Sequence, residues 1–193
     1  TVRGARLTGG EASGRRLLTV ESGDLRASAG VVRGALYNIL GPQVFGASLV
    51  DLFAGAGSLG IEALSRGAAR VTFVEVRADR AGLISANCEI LGYTDQVQVV
   101  VGEAVGWIRR SAAVLLAASV VLLDPPYLDP GPASGLQALS ELGRLAEGEA
   151  GWDPVVVFEH HRDLAVPEQA GALNCVRTAR YGTSLLSFYR RSR

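Results

Sequence analysis

From residue 48 onward, short apolar segments alternate with segments of helical periodicity, and this alternation limits the possible folds more than any other feature of the chain. Strands are predicted at residues 48–53, 70–76, 97–102, 119–124 and 154–160. Helices are predicted between them, at residues 59–67, 78–91, 104–117 and 133–147. Strands that are apolar along their whole length and are joined by helices are typical of a parallel sheet covered on both faces. The chain is therefore expected to form a doubly wound α/β fold.

Both ends of the chain depart from this alternation. Residues 1–41 are predicted to form an extension, in which a small β-hairpin around Gly9-Gly10 precedes a helix over 28–40. Two strands at 175–182 and 184–191 are expected to close the sheet as an antiparallel hairpin. The expected result is a mostly parallel, seven-stranded sheet within a domain of residues 42–193.

The loop after the first strand, DLFAGAGSLG at 51–60, is of a type that approaches a nucleotide closely. Its glycines at 55, 57 and 60 form a G-x-G-x-x-G pattern. Glu75 ends the next strand, where a carboxylate can accept hydrogen bonds from both hydroxyls of a ribose. The pattern predicts a ribose-bearing cofactor, which is either NAD or S-adenosylmethionine.

Two further acids favour S-adenosylmethionine over NAD. Asp51 lies four residues before Gly55, where a carboxylate helps to bind a cationic amino acid and would face a pyrophosphate unfavourably. Glu103 follows the third strand and can accept a hydrogen bond from an adenine amino group, or it can be a solvated acid that the helix dipole favours. The predicted cofactor-binding residues are Asp51, Phe53, Gly55, Gly57, Glu75, Glu103 and Ala104.

The fourth strand ends in Asp124-Pro125-Pro126-Tyr127, because proline cannot donate to a sheet ladder. Ligands of open α/β sheets bind outside the carboxyl ends of the strands where the strand order reverses, so Asp124 is expected beside the glycine loop. Asp124 and the Pro125 carbonyl can accept both N–H bonds of an exocyclic amine and free its lone pair for a methyl group. Tyr127 can stack on the base and Asp124 can take the proton. All four residues are predicted to be catalytic.

The basic residues of the chain, all arginine, are concentrated at its two ends. Residues 1–40 carry six Arg and three acids, and residues 177–193 carry five Arg and no acid, whereas the middle has eight Arg and sixteen acids. Because arginine binds phosphate bidentately, the ends are candidates for a nucleic-acid interface, although solvated tails are the alternative. The residues predicted to bind nucleic acid, which is RNA if the resemblance described below holds, are Arg3, Arg6, Arg15, Arg16, Arg26 and Arg33.

The remaining residue types exclude several classes of protein. Cys88 and Cys175 form no C-x-x-C pair, and His160-His161 has no acid or cysteine at ligand spacing, so no metal site is predicted. Reduced cysteines and the lack of a long apolar segment predict a cytoplasmic protein that does not contact membranes. A monomer is the default expectation.

With these motifs, the chain resembles the class I amino-methyltransferases, and more closely the bacterial 16S rRNA guanine-N2 methyltransferase family (RsmD-like). The resemblance rests on GGEASGRRL, LRASAGVVRGALYNIL, DLFAGAGSLGIEALSRGA, FVE, DPPY and RYGTSLLSFYR, which extend over nearly the whole chain. It implies S-adenosylmethionine as cofactor and N2-methylguanine in small-subunit rRNA as product. An assembled or partly assembled subunit is the expected substrate.

The chain departs from the family pattern before the sheet, where the family has a stretch like R-P-T-x-D-x-V-R-E. Arg26 and Arg33 are present, but Ala27, Gly30 and Gly34 replace the proline and two acids. These departures leave a non-catalytic RNA-binding relative as an alternative. Methylation of adenine N6 or cytosine N4 is another alternative, because the Asp-Pro-Pro-Tyr motif also serves those amines. An NAD-dependent oxidoreductase is disfavoured, since the chain has no Lys for a catalytic Tyr-Lys pair.

Overall fold

The computed structural model describes residues 4–19, 29–128 and 130–192, and its centre is one sheet. The strands are β1 Ser48–Asp51, β2 Arg70–Glu75, β3 Val97–Val101, β4 Val120–Leu123, β5 Val155–His161, β6 Gln169–Ala170, β7 Leu173–Tyr181 and β8 Ser184–Arg191. The helices are α1 Ala29–Leu40, α2 Ser58–Ser65, α3 Ala78–Leu91, α4 Ala104–Arg110, α5 Ala112–Leu116 and α6 Gly131–Gly148. Short 3₁₀ turns occupy Gly41–Val44 and Thr94–Gln96.

The sheet order is β3-β2-β1-β4-β5-β8-β7-β6, with β1 to β5 parallel and β8 antiparallel to β5. This arrangement confirms the mostly parallel α/β fold with an antiparallel C-terminal hairpin. The strand order reverses between β1 and β4, which are neighbours in space although β2 and β3 separate them in the chain. The carboxyl ends of these two strands therefore border a crevice.

The sheet has eight strands, and the expected number of seven was wrong. The additional strand, β6, has only two residues, which pair with the start of β7 around Gly171. Gly171 has a φ of 54°, a backbone conformation that glycine adopts without strain. A strand of two residues is too short to show a periodic pattern, so no sequence pattern indicated it.

Each face of the sheet is covered by its own set of helices. On one face, α1, α2 and α3 pack through residues such as Leu36, Ile61 and Ile84. On the other face, α4, α5 and α6 pack through Trp107, Leu115 and Leu142 among others. The predicted helix over 104–117 is divided at Ser111, the residue that separates α4 from α5.

The N-terminal hairpin shares the core of the first face. Its two extended pieces are joined by a single antiparallel bridge between Arg6 and Arg16. They are therefore shorter than the strands that the sequence predicts. Leu7 and Leu17, one on each piece, are both buried in the same cluster as the sheet residues Leu49 and Val71. The division of the chain at residue 41 stays a prediction, but the two sides of that division pack as one core.

The buried carboxylate of Glu62 on α2 attaches the hairpin and α1 to the sheet domain. It accepts hydrogen bonds from the backbone and hydroxyl of Thr8, at 2.8 and 2.6 Å, and from Nε of Arg33 at 3.1 Å and Nε of Arg66 at 3.0 Å. Burial by itself raises the pKa of Glu62, but the bonds from Thr8 and Arg66 and the charge of Arg33 outweigh burial and lower it. Glu62 is therefore an anion that three parts of the chain stabilise.

We expect Glu62→Gln to lower the free energy of unfolding by about 3 kcal/mol, since it leaves the buried guanidinium of Arg33 without an anion. Urea titration at pH 7 measures this loss. Because the pKa of Glu62 is lowered from its ordinary 4.5, its contribution is present above that pH and disappears in acid. The difference between the two proteins should therefore shrink below pH 4.5.

The matched control is Glu141→Gln. Glu141 pairs with Arg109 and Arg144, whose guanidinium groups are largely exposed, so its loss should change the unfolding midpoint little. Equal losses for the two variants would contradict the role assigned to Glu62.

Candidate active site

The carboxyl edge of the sheet gathers acids from four neighbouring strands. Asp51 is the last residue of β1 and Glu75 is the last of β2. Glu103 follows β3 by two residues, and Asp124 follows β4 directly. Because these strands are parallel and adjacent in the order β3-β2-β1-β4, the sequence-predicted acids all lie at one edge, around the point where the strand order reverses.

The glycine loop is fixed against β2 by the carboxylate of Glu75. Gly55 donates its N–H to Oε2 at 2.7 Å, and the N–H of Arg77 donates to Oε1 at 2.9 Å. Gly55 and Gly57 have φ values of 56° and 82°, in the left-handed region that favours glycine. A Cβ on Gly55 would meet no atom within 4 Å, so the loop leaves open space on that side.

The third glycine of the motif has a packing role. A Cβ on Gly60 would lie 2.2 Å from Cε1 of Phe73 on β2. Only glycine therefore lets α2 approach the sheet this closely. The N–H of Gly60 also donates to Oδ2 of Asp51 at 3.2 Å, which connects the helix to the acid at the end of β1.

Asp51 is buried and incompletely paired. Asp51 is 1% exposed, and its Oδ1 has no hydrogen-bond partner. Burial is the main cause that raises the pKa of Asp51 to about 7, and the negative charges of Asp124 and Glu75 add to it, against the opposing backbone hydrogen bonds from Gly60 and, more weakly, Phe53. A cation or N–H donor at Oδ1 would stabilise the ionised form.

These features fit S-adenosylmethionine. The molecule carries an ammonium group and a sulfonium charge, which suit a buried carboxylate with a free acceptor atom, and the open side of Gly55 leaves room for a ligand against the backbone. Phe53 is half-buried in the same loop. The residues predicted from the G-x-G-x-x-G motif are thus brought together.

Glu103 has the position that was predicted for it, but its carboxylate is already engaged. It caps α4 by accepting the backbone N–H groups of Val105 at 2.9 Å and Gly106 at 2.7 Å. The structure therefore agrees with the alternative interpretation, in which Glu103 is an acid at the start of a helix. Contact of Glu103 with an adenine amino group stays a prediction. Ala104 is buried as the first residue of α4.

Asp124-Pro125-Pro126-Tyr127 leaves β4 as a tightly packed turn under α6. A Cβ on Gly131 would lie 1.9 Å from the Pro126 carbonyl oxygen, and one on Gly135 would lie 2.6 Å from Cγ of Pro125. Two glycines of α6 therefore permit the helix to press on the prolines. Asp124 and Tyr127 remain half-buried at the rim.

The hydroxyl of Tyr127 reaches two other strands. It lies 2.7 Å from Oγ of Ser184 on β8 and donates to Oε1 of Glu159 on β5 at 3.3 Å. The ring also meets His161 edge to face, with centroids 5.6 Å apart. No sequence pattern indicated Ser184, because it comes close to Tyr127 only when β8 pairs with β5.

One sequence-predicted RNA contact is corrected by the structure. Arg33 is 3% exposed, and its guanidinium donates to Glu62 and to the carbonyl oxygen of Arg6. It is therefore not at a surface that RNA can reach. The prediction failed because the partner acid, Glu62, is distant in the sequence.

The other predicted RNA-binding residues have different locations. Arg6, Arg15 and Arg16 are exposed on the N-terminal hairpin, whose tip binds the C-terminal end of α2 through Glu11 N–H and the Ser65 carbonyl at 2.8 Å. That end of α2 is opposite the glycine loop, so the tip is not beside Asp124. Arg3 and Arg26 lie outside the described residues.

Val76 is a residue of the crevice rim that sequence analysis missed. It directly follows Glu75 and is 64% exposed. An exposed apolar side chain next to Glu75, the acid predicted to bind the ribose, is suited to contact the flat face of a base. Its position after a strand-ending acid is the signal that could have identified it.

Among the described residues 4–19, 29–128 and 130–192, no helix has the length and apolar character needed to cross a membrane. Within the same ranges, no three His, Cys, Asp or Glu side chains cluster in a way that could bind a metal ion.

Comparison with known proteins places the chain in a family. Residues 5–190 match the model of the family described as "Conserved hypothetical protein 95". The chain belongs to this family. A Bacillus subtilis relative, "Putative rRNA methyltransferase YlbH", is 31% identical over 186 residues, which cover 96% of this chain and 98% of the relative. "Ribosomal RNA small subunit methyltransferase D" of Escherichia coli K12 is 32% identical over 142 residues, 74% of this chain and 70% of that protein.

A solved structure agrees with this assignment. "Putative methyltransferase yhhF from Escherichia coli" has a TM-score of 0.76 and 27% identity, and the match covers 97% of each chain. Membership of the family confirms the RsmD-like resemblance, and it confirms an S-adenosylmethionine-dependent methyltransferase rather than an NAD-dependent oxidoreductase.

We expect Asp51→Asn to stabilise the protein and weaken its cofactor binding. The pKa of Asp51 is about 7 in the fold against an ordinary 3.8, so the ionised carboxylate costs stability above pH 7 and progressively less as the pH falls towards 3.8. The variant should raise Tm more at pH 8 than at pH 5. Its affinity for S-adenosylmethionine at pH 8, measured by calorimetry, should fall about tenfold.

Asp95→Asn, which changes an exposed acid in the turn before β3, serves as the control and should alter neither quantity. A variant of Asp51 that binds S-adenosylmethionine as well as the wild type would contradict the assignment of its carboxylate to the cofactor.

Proposed function

We propose that this protein transfers a methyl group from S-adenosylmethionine to the N2 amine of a guanine in small-subunit rRNA. The observation that carries the proposal is the meeting of two sets of residues at one crevice. The glycine loop, Asp51 and Glu75 lie on one side of the strand-order reversal, and Asp124-Pro125-Pro126-Tyr127 lie on the other. Two relatives are named as rRNA methyltransferases, which supports rRNA as the substrate class.

The β1 and β2 side of the crevice is proposed to bind the cofactor. Asp51 would bind the cationic amino-acid end, and Glu75 would accept hydrogen bonds from ribose hydroxyls with the lone pairs that Gly55 and Arg77 leave available. Val76 and Phe53 would contact the adenine or ribose faces, and Glu103 would contact the adenine amino group. The bound cofactor supplies a methyl group made electrophilic by the sulfonium charge.

The β4 side is proposed to activate the amine. The lone pair of an exocyclic amine is delocalised into the base and is a poor nucleophile. Acceptance of its two N–H bonds by Asp124 and by the Pro125 carbonyl would draw the lone pair out of conjugation. Asp124 would take the proton released after transfer, and the ring of Tyr127 would hold the base by stacking.

Positioning and electrostatics account for catalysis by such a site. Two rigid prolines, packed under Gly131 and Gly135, fix the acceptors in place before the base arrives. The same local chemistry would serve adenine N6 or cytosine N4, so guanine is proposed from the family resemblance and not from the geometry of the crevice.

The proposed substrate is an assembled or partly assembled small subunit, with the protein acting as a cytoplasmic monomer. The chain has a net charge of zero, because its acidic middle offsets the arginine-rich ends, so its overall charge supplies no long-range attraction to naked RNA. A structured particle offers a shaped surface in addition to phosphate charge. Subunits should therefore be methylated faster than the same rRNA free of protein.

Asp124→Asn tests the proposed chemistry, because it keeps the shape of the side chain and removes its charge and basicity. With small subunits that lack native modifications, we expect kcat to fall about a hundredfold or more, with the affinity for S-adenosylmethionine nearly unchanged. Transfer of a labelled methyl group under saturating conditions measures the first quantity, and calorimetry measures the second.

The control is Asp153→Asn, an exposed acid that precedes β5 at the opposite edge of the sheet. It should retain wild-type activity. If Asp124→Asn were as active as this control, the proposed role of Asp124 in activating the amine would be wrong.

A further inference from the structure

The hydroxyl of Tyr127 belongs to a hydrogen-bonded group that the proposed chemistry does not use. Ser184 is 1% exposed and Glu159 is 7% exposed, and both have an oxygen within 3.3 Å of the Tyr127 hydroxyl. Base stacking needs only the ring of a tyrosine. The burial of two polar partners for the hydroxyl therefore requires a separate explanation.

The hydrogen bonds of this group have one consistent direction. A carboxylate only accepts, so the Tyr127 hydroxyl donates to Glu159. A tyrosine hydroxyl has a single proton, which leaves its oxygen as the acceptor of the Ser184 hydroxyl. The resulting chain runs from Ser184 through Tyr127 to Glu159, and it fixes the end of the ring from two sides.

The register of the sheet places these partners on one side of it. Ser184 pairs with His161, and Leu186 pairs with Glu159, in the antiparallel ladder between β8 and β5. Glu159 and His161 are two residues apart on β5, so their side chains share a face. Tyr127 is thus held at its hydroxyl by Ser184 and Glu159 and at its ring by the edge contact with His161.

We propose that Ser184 and Glu159 are positioning residues, which act through the hydroxyl of Tyr127 to fix the plane of its ring for the target base. This inference rests on the proposed function. The closing hairpin thereby becomes part of the active site, because β8 supplies the group that orients an aromatic ring following β4. Loss of either contact lets the ring turn, so that a stacked base is offered to Asp124 at the wrong angle.

Ser184→Ala tests the proposal, with Ser187→Ala as the matched control. Ser187 is a buried serine on the same strand, but its hydroxyl binds His160 at 2.9 Å and Thr178 at 3.3 Å rather than Tyr127. We expect Ser184→Ala to lower kcat on small subunits about tenfold. Its affinity for S-adenosylmethionine should match the wild type, and its Tm should fall no further than that of Ser187→Ala. A purely structural role for Ser184 would lower Tm without lowering kcat.

Tyr127→Phe keeps the ring and removes the hydroxyl, and it allows a double-mutant cycle with Ser184→Ala. If Ser184 acts through this hydroxyl, the double variant should be no slower than Tyr127→Phe alone. Tyr189→Phe is the control for the loss of a buried tyrosine hydroxyl, since that hydroxyl donates to the Pro167 carbonyl instead. It should leave kcat unchanged.

Glu159 is tested by a pair of substitutions. Glu159→Gln retains an acceptor oxygen and should keep kcat within about twofold of wild type, whereas Glu159→Ala should lower it about tenfold. Equal losses for the two variants would overturn the acceptor role of Glu159.

The outcomes separate this inference from the proposed function. Suppose that the wild-type protein transfers methyl groups to the subunits. If Ser184→Ala then has the same kcat as Ser187→Ala, the positioning role is wrong and the proposed function stands. The same conclusion follows if the kcat losses of Tyr127→Phe and Ser184→Ala multiply in full in the double variant. If the wild type transfers no methyl group, the proposed function fails and this inference fails with it.

Discussion

The crevice that we propose as the active site depends on the parallel pairing of β1 with β4, two strands that are far apart in the chain. Leu49 to Asp51 run alongside Val120 to Leu122, so both strands end at the same edge. This one pairing brings Asp51 and its glycine loop next to Asp124 and the two prolines. In chain order, two further strands, β2 and β3, lie between β1 and β4. Without the pairing, the residues proposed to bind the cofactor would not lie next to those proposed to activate the amine.

Two buried acids of the described residues, Glu62 and Asp51, have pKa values that are shifted in opposite directions. Glu62 has a lowered pKa because hydrogen bonds and two arginines surround it, and it secures the N-terminal hairpin and α1 to the domain. Asp51 has a raised pKa because burial is only partly compensated, and one of its oxygens is left without a partner. The satisfied carboxylate stabilises the fold, whereas the unsatisfied one is available to a ligand. Both carboxylates are buried, and the number of hydrogen-bond donors around each one decides whether its pKa is lowered or raised.

Sequence patterns were sufficient for the parts of this structure that depend on local periodicity. The helix predicted at 78–91 is found at Ala78–Leu91, and the strand predicted at 184–191 is found at Ser184–Arg191. Local patterns also located Asp51, Glu75 and Asp124 at strand ends. They failed where a partner lies far along the chain: Arg33 was assigned to RNA although Glu62 binds it, and Ser184 was not connected with Tyr127. Such contacts follow from strand pairing and helix packing, which a local pattern does not contain.

The most direct test of the account is to identify the methylated nucleoside. Small subunits lacking native modifications would be incubated with wild-type protein and isotopically labelled S-adenosylmethionine, and the rRNA would be digested to nucleosides for mass spectrometry. The account predicts that the label appears as N2-methylguanosine. Label in N6-methyladenosine or N4-methylcytidine would contradict the assignment of the base, and the absence of label from rRNA would contradict the assignment of the substrate.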